Sequence, residues 1–167
     1  MSKAFAAILM GSDSDLPVMQ TTIDVLKSLK IDVEVRITSA HRTPAATHEY
    51  VKDADQRGCQ VFIAAAGLAA HLAGTVAGLT LKPVIGIPLD AGPLQGMDSL
   101  LSTVQMPGGI PVACVAIGKA GAKNAGYLAA QIMSLSDTDL AQRVADDRKQ
   151  NAETVIQKNA DLQKSLS

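Results

Sequence analysis

The chain has no tryptophan, and aromatic residues make up 2% of its 167 positions. Rings to stack on single-stranded nucleic acid or on a flavin are therefore scarce. It also lacks an excess of either charge: 15 Lys and Arg stand against 16 Asp and Glu, for a formal net charge of −1. Such a balance leaves no footprint for nucleic acid or an anionic membrane surface. No apolar run approaches the roughly 18–20 residues needed to span a bilayer. The first apolar run is short and enters a Ser/Asp loop, so it reads as an opening strand and not a signal peptide. The expectation is a soluble, cytoplasmic protein. The 2 cysteines, Cys59 and Cys114, form neither a CxxC pair nor a zinc spacing. Each lies in or beside an apolar run and reads as a small buried hydrophobe. There is no cluster with metal-ligand spacing and no GxSxG elbow. Neither a metal nor a covalent nucleophile is expected.

What the chain does have is alternation. Short apolar runs (Phe5–Met10, Val33 to Ile37, Val61–Ala66, Pro83–Ile87, Pro111–Ile117) are separated by stretches of helical periodicity. Pro17 and Pro44 suit first helical turns, and Gly58 suits a helix end. Further helices are read near Met97–Val104, over Ala120–Leu135 and over Asp137–Leu166. Strand–helix alternation without a break in composition predicts one three-layer α/β domain with a parallel sheet. Five units suit the flavodoxin-like order 2-1-3-4-5, with residues 1–136 as the α/β body and 137–167 as a C-terminal helical arm of the same domain.

In such sheets ligands bind beyond the carboxyl ends of the strands, near the switch in strand order. That rule selects three loops, and they hold the concentrated polar chemistry of the first half. Gly11-Ser12-Asp13-Ser14-Asp15 joins a strand to a helix start, where free N–H groups and hydroxyls favour a phosphate. It has neither P-loop nor GxGxxG spacing, so ATP and NAD are poor candidates and no cofactor is expected. Asp15 reads equally as a ribose-hydroxyl acceptor or as the cap of the following helix.

Ser39-Ala40-His41-Arg42-Thr43-Pro44 ends the second strand. Arg42 offers a planar cationic fork for phosphate, and its charge favours a neutral His41, a proton shuttle candidate. A His in a loop is as readily a surface residue or cap. In Ala65–Gly74 the small residues, Ala66 and Gly67 among them, leave backbone N–H groups open to a flat ring or a small carboxylate. Helix–sheet packing explains them as well. His71 is either a ligand group or a cap, and His48 lies on a solvated helix face. Gln105–Pro111 has hinge-like Gly and Pro density, suited either to a mobile cover or to a plain connection.

Across these loops the chain resembles the class I N5-carboxyaminoimidazole ribonucleotide mutases, from about Ala6 to the final helix. The matching motifs are GSDSD (Gly11–Asp15), SAHRTP (Ser39–Pro44), AAHLAG (Ala69–Gly74), DSLLSTVQMPGGIPVA (Asp98–Ala113) and AIGKAGAKNA (Ala116–Ala125). Ala73 replaces a Pro usual in the family. The related animal-type carboxylases carry Lys-Gly where this chain has Arg42-Thr43, and they lack the pair His71-Leu72.

The resemblance implies a cofactor-free enzyme of de novo purine biosynthesis that interconverts N5-carboxyaminoimidazole ribonucleotide and its 4-carboxy isomer. It implies Ser12, Ser14 and Arg42 on the phosphate, Asp15 on the ribose, and Ser39, Ala40, Ala66, Gly67, His71 and Leu72 around the imidazole and carboxyl. His41 would move the proton. It also implies a homo-octamer whose C-terminal helices pack between subunits. Read from their residues alone, the thinly spaced apolar positions of that helix suit a solvated helix instead. Two other readings compete: a carboxylase that uses free carbon dioxide, and a flavodoxin-like module that binds a nucleotide without chemistry. A phosphoacceptor receiver domain is excluded by Ala65-Ala66-Gly67, which puts no Asp at the end of the third strand.

Overall fold

Residues 4–166 are described by a computed structural model of the chain. Five parallel strands, β1 (Phe5–Met10), β2 (Asp32–Ile37), β3 (Cys59–Ala66), β4 (Val84–Pro88) and β5 (Ala113–Cys114), lie in the order β2-β1-β3-β4-β5. The order matches the expected flavodoxin-like arrangement. Between them run α1 (Leu16–Ser28), α2 (Pro44–Arg57), α3 (Leu72–Ala77), α4 (Met97–Val104) and α5 (Gly118–Ser134), and α6 (Thr138–Leu166) follows.

Burial explains the two kinds of strand signal. A strand inside a parallel sheet is covered on both faces and reads as a continuous apolar run. All six residues of β1 are buried, whereas β2 at the sheet edge is half-buried or exposed throughout. The side chains of β1 alternate between two cores. Ile8 and Met10 meet α1 and α5 through Met19, Leu26, Ala125 and Met133. Leu9 and Phe5 meet α2 and α3 through Val51, Leu72 and Val76. The many alanines of α5 let it approach α1 closely enough for Thr22 Oγ1 to donate 2.7 Å to the carbonyl of Ala122, fully buried.

On β4, Gly86 faces the α3–α4 layer. A Cβ there would lie 2.4 Å from Thr103 Cγ2 and 2.8 Å from Val112 Cγ1, so only glycine fits beneath these side chains. The register sets Met10 level with Ile37 and Ala65, and Ala66 level with Pro88. Four strands therefore end together, and their loops share one edge of the sheet.

Two expectations are revised. β5 is only two residues long, not Pro111–Ile117. It pairs with β4 alone, Pro111 has no N–H to give, and the chain turns into α5 from Gly118 in the left-handed region at φ 62°. The helix after the first loop starts at Leu16, one residue before the expected Pro17.

Helix α6 packs its first turns on the body. Leu140 is buried, Val144 joins the core rim, and Arg143 Nε donates 2.8 Å to the carbonyl of Leu29 at the end of α1. Its distal half leaves Val155, Ile156, Leu162 and Leu166 exposed. No helix among the described residues is long and apolar enough to cross a membrane. Cys59 is buried, and desolvation pushes its thiol up to about 12, in keeping with an inert core residue, while Cys114 is half-buried.

Candidate active site

The loops after β1, β2 and β3 meet in one cavity of about 490 Å³. Every site residue expected from the sequence lines it: Ser12, Ser14 and Asp15 from the first loop, Ser39, Ala40, His41 and Arg42 from the second, Ala66, Gly67, His71 and Leu72 from the third. His48 is exposed on α2, away from the site.

The first loop folds into a 3₁₀ turn over Asp13–Asp15, and the Asp15 carboxylate takes part in its internal bonds. The Ser12 hydroxyl caps the turn, accepting from the Ser14 amide at 3.3 Å, while Asp15 Oδ2 accepts from the Ser12 amide at 3.0 Å. This is a reciprocal capping box. Asp15 stands at the N-cap position of α1 but makes no side-chain bond to the start of that helix. Burial raises its pKa, with the amides of Ser12 and Gly11 and the Ser14 hydroxyl opposing the shift. Ser14 Oγ lies 3.0 Å from Ser12 Oγ, so two hydroxyls converge at the loop's mouth.

The second loop is held by its own side chains. Thr38 Oγ1 and Thr47 Oγ1 share a buried hydrogen bond of 2.6 Å, and the Ser39 amide donates to Thr43 Oγ1 at 2.9 Å. The Arg42 amide donates to Ser39 Oγ at 3.1 Å. The Arg42 guanidinium then crosses to the first loop, where Nη2 donates 3.0 Å to the Gly11 carbonyl. That bond parks the cation beside the Ser12 and Ser14 hydroxyls and leaves its other N–H groups free for an anion.

His41 turns toward the third loop. Its Nε2 lies 2.7 Å from Nδ1 of His71, with ring planes at 84°. One of those nitrogens carries the hydrogen and the other accepts it, the roles depending on the tautomer. His71 thereby orients His41 within the cavity that Ala66, Gly67 and Ala69 also line.

Five further residues complete the lining: Gly11, Thr38, Leu68, Ala69 and Ala91. Ala91 comes from the turn after β4, and its methyl side chain carries no polar signal in the sequence. Gln105–Pro111 does not line this cavity, and Met106 packs against the core on the α2–α3 face. A separate hollow of about 550 Å³ between α5 and α6, with Val115, Tyr127, Asp147 and Asn151 in its wall, shares no lining residue with this cavity. No three His, Cys, Asp or Glu side chains gather as a metal-holding group among the described residues.

This cavity sits at the switch in strand order, between β1 and β3, where open parallel sheets hold their ligands. A profile described as AIR carboxylase matches residues 6–154. The chain belongs to the AIR carboxylase family. Within this family, the N5-carboxyaminoimidazole ribonucleotide mutase of Bacillus subtilis (strain 168) is 51% identical over 155 residues, covering 93% of this chain and 96% of that protein. The mutase of the same name from Escherichia coli (strain K12) is 48% identical over 154 residues, covering 92% and 91%. Among solved structures, Treponema denticola PurE superposes with a TM-score of 0.86 at 32% identity, covering 96% of this chain and 99% of that one. The three-layer parallel fold of this family member thus has a solved counterpart over nearly its full length.

Proposed function

We propose that this AIR carboxylase family member interconverts N5-carboxyaminoimidazole ribonucleotide and 4-carboxy-5-aminoimidazole ribonucleotide, a step of purine biosynthesis. One observation carries the reading: a single cavity gathers two hydroxyls and a guanidinium, the Asp15 carboxylate, an imidazole paired with a second imidazole, and a wall of small residues. A ribonucleotide carrying a labile carboxyl group needs all four. The ~50% identical curated relatives bear the same mutase name.

The family resemblance implies the roles, and the shared cavity is compatible with them. Ser12, Ser14 and the free face of Arg42 bind the phosphate, and Asp15 accepts from the ribose hydroxyls. That end of the substrate supplies the binding energy that places the ring. Ser39, Ala40, Ala66, Gly67 and Leu72 frame the imidazole and the carboxyl.

In the forward direction the nitrogen–carboxyl bond breaks, releasing carbon dioxide and leaving its electron pair on the exocyclic nitrogen. His41, entering the step protonated, gives that nitrogen its proton and becomes neutral. The ring carbon then attacks the retained carbon dioxide, forming the carbon–carbon bond, and His41 removes the proton from that carbon. The side chain ends in its starting state, so no net proton is consumed. Ala66, Gly67 and Ala69 have no group that competes for the carbon dioxide, and their small volume keeps it against the ring.

The direct test offers three substrates separately, without ATP: the nitrogen-carboxylated ribonucleotide, its carbon-carboxylated isomer, and the unmodified ribonucleotide with bicarbonate. Interconversion of the first two with slow use of the third is expected. Efficient carboxylation of the third alone would make the protein a carboxylase. Arg42-Thr43 and the pair His71-Leu72 favour the mutase.

We also infer a cytoplasmic homo-oligomer, an octamer on the family pattern, whose subunits bury the exposed apolar positions of α6. Light scattering of the intact protein tests it. A monomeric mass would contradict it.

A further inference from the structure

Among the described residues, Leu68 is one of three non-glycine residues with a left-handed backbone, at φ 56°. For a side chain bearing a Cβ that conformation is costly, and it persists only where the surroundings hold it. The surroundings here are the turn that follows β4. A Cβ on Gly92 would lie 2.5 Å from Leu68 Cδ2, so the Leu68 side chain occupies the space that a side chain at 92 would need. A Cβ on Gly67 would lie 2.8 Å from the Ala91 methyl, so the same turn presses on the neighbouring residue as well.

The turn is itself fixed at both ends. Ser99 Oγ donates to the Leu89 carbonyl at 2.7 Å and to the Gly96 carbonyl at 3.0 Å, both buried. At the other side a Cβ on Gly118 would lie 3.2 Å from Asp90 Oδ1, so Asp90 abuts the start of α5. A rigid turn therefore clamps the β3 loop from outside, and Leu68 and Ala91 both reach the cavity wall.

We infer that Leu68 is a positioning residue with Gly92 as its seat, and that together they hold the Gly67–Ala69 backbone against the migrating carboxyl group. This rests on the mutase reading above. The left-handed turn at Leu68 reverses the chain between β3 and α3, so the placement of the Gly67 and Ala69 peptide groups depends on where the Leu68 side chain is anchored. A looser loop would still bind phosphate through Ser12, Ser14 and Arg42. It would lose its grip on carbon dioxide between bond breaking and bond making.

The test is a cycle of Leu68→Ala, Gly92→Ala and the double variant in the full-length protein. Two quantities are read: the rate of interconversion, and the fraction of turnovers that leak to free carbon dioxide and unmodified ribonucleotide. The leak fraction is independent of how much enzyme is correctly folded. Each single variant is expected to raise the leak about tenfold, and the double variant to match the worse single, because residues in contact are not additive. A wild-type leak fraction in both singles, or effects that multiply in the double, would overturn the assignment. Amide exchange over residues 66–72 and 89–96 is followed on the same samples. Substitution at either position should raise exchange in both segments, and a change confined to the substituted segment would contradict the coupling. If the wild type is inert on the ribonucleotide pair, the mutase reading fails while the exchange data still decide whether loop and turn act as one unit.

Discussion

Arg42 joins two loops and, on the proposed reading, also binds the phosphate. Its guanidinium bond to the Gly11 carbonyl occupies part of the fork, in a cavity that Ser12 and Ser14 also line. Lysine has one charged point and no fork, so Arg42→Lys should raise KM for the ribonucleotide about 10- to 100-fold while changing kcat less. Steady-state kinetics check this, and an unchanged KM would remove Arg42 from phosphate binding.

Asp15 carries a pH signature in the empty protein. Desolvation raises its folded pKa above the unfolded value. Its contribution to stability is therefore present at pH below the unfolded pKa and is lost as pH rises through the folded one. Asp15→Asn should remove that part of the pH dependence of Tm, keep the Ser12 bond, and weaken ribonucleotide binding. A titration of Tm identical to wild type would contradict the assigned shift.

At this scale the polar residues that line the cavity were legible, because strand-end loops concentrate polar residues. The bonding of Asp15 was not. A helix cap and a 3₁₀ capping box share the same Ser/Asp spacing, and only the local backbone path separates them. Leu68 and Ala91 carry no polar group, and Ala91 reaches the cavity through a turn distant in sequence.

Among the elements, α3 explains the Ala73 departure from the family pattern. His71 stands at the N-cap and Leu72 and Ala73 open the helix, where backbone N–H groups have no partner within the helix. Proline is compatible with that first turn and loses no helical hydrogen bond there. Ala73→Pro should raise stability by about 0.4–1 kcal/mol by restricting the unfolded chain. Thermal unfolding checks it, and a marked fall in Tm would show that the ring collides with the sheet.

Gly86 behaves oppositely. Gly86→Ala would drive a methyl into Thr103 and Val112 and should cost about 1–3 kcal/mol. A neutral result in denaturant unfolding would contradict the packing of α4 on β4.

Along the sheet edge, Glu34 of β2 accepts from both terminal nitrogens of Arg57 on α2, and from Tyr50 Oη at 3.1 Å. Arg57 holds the Glu34 carboxyl below its ordinary value, so this clamp contributes above the unfolded pKa and loosens as pH falls through the folded one. Its direction is opposite to that of Asp15. Element types and most boundaries were legible from period and from Pro and Gly punctuation, α2 and α4 to the residue. The length of β5 was not, because an apolar run records burial, whereas strand length depends on a partner, and β5 has one only in β4.

For the whole molecule, the parallel register makes the site. Four strands end level, so three loops distant in sequence open into one cavity, and the sheet supplies the rigidity that a loop-built site needs. The strand order was legible only as a choice among known arrangements, since periodicity identifies strands and not neighbours. The convergence of the loops followed once that order was assumed.

The central claim is that His41 moves the proton in a carboxyl shift on the ribonucleotide, and it is tested most directly by comparing wild type with His41→Asn on the nitrogen- and carbon-carboxylated pair. Both turnover and equilibrium binding are measured. The account predicts that the variant binds the ribonucleotide within a few-fold of wild type and loses about 10²- to 10⁴-fold in kcat. A variant that keeps wild-type turnover would contradict it.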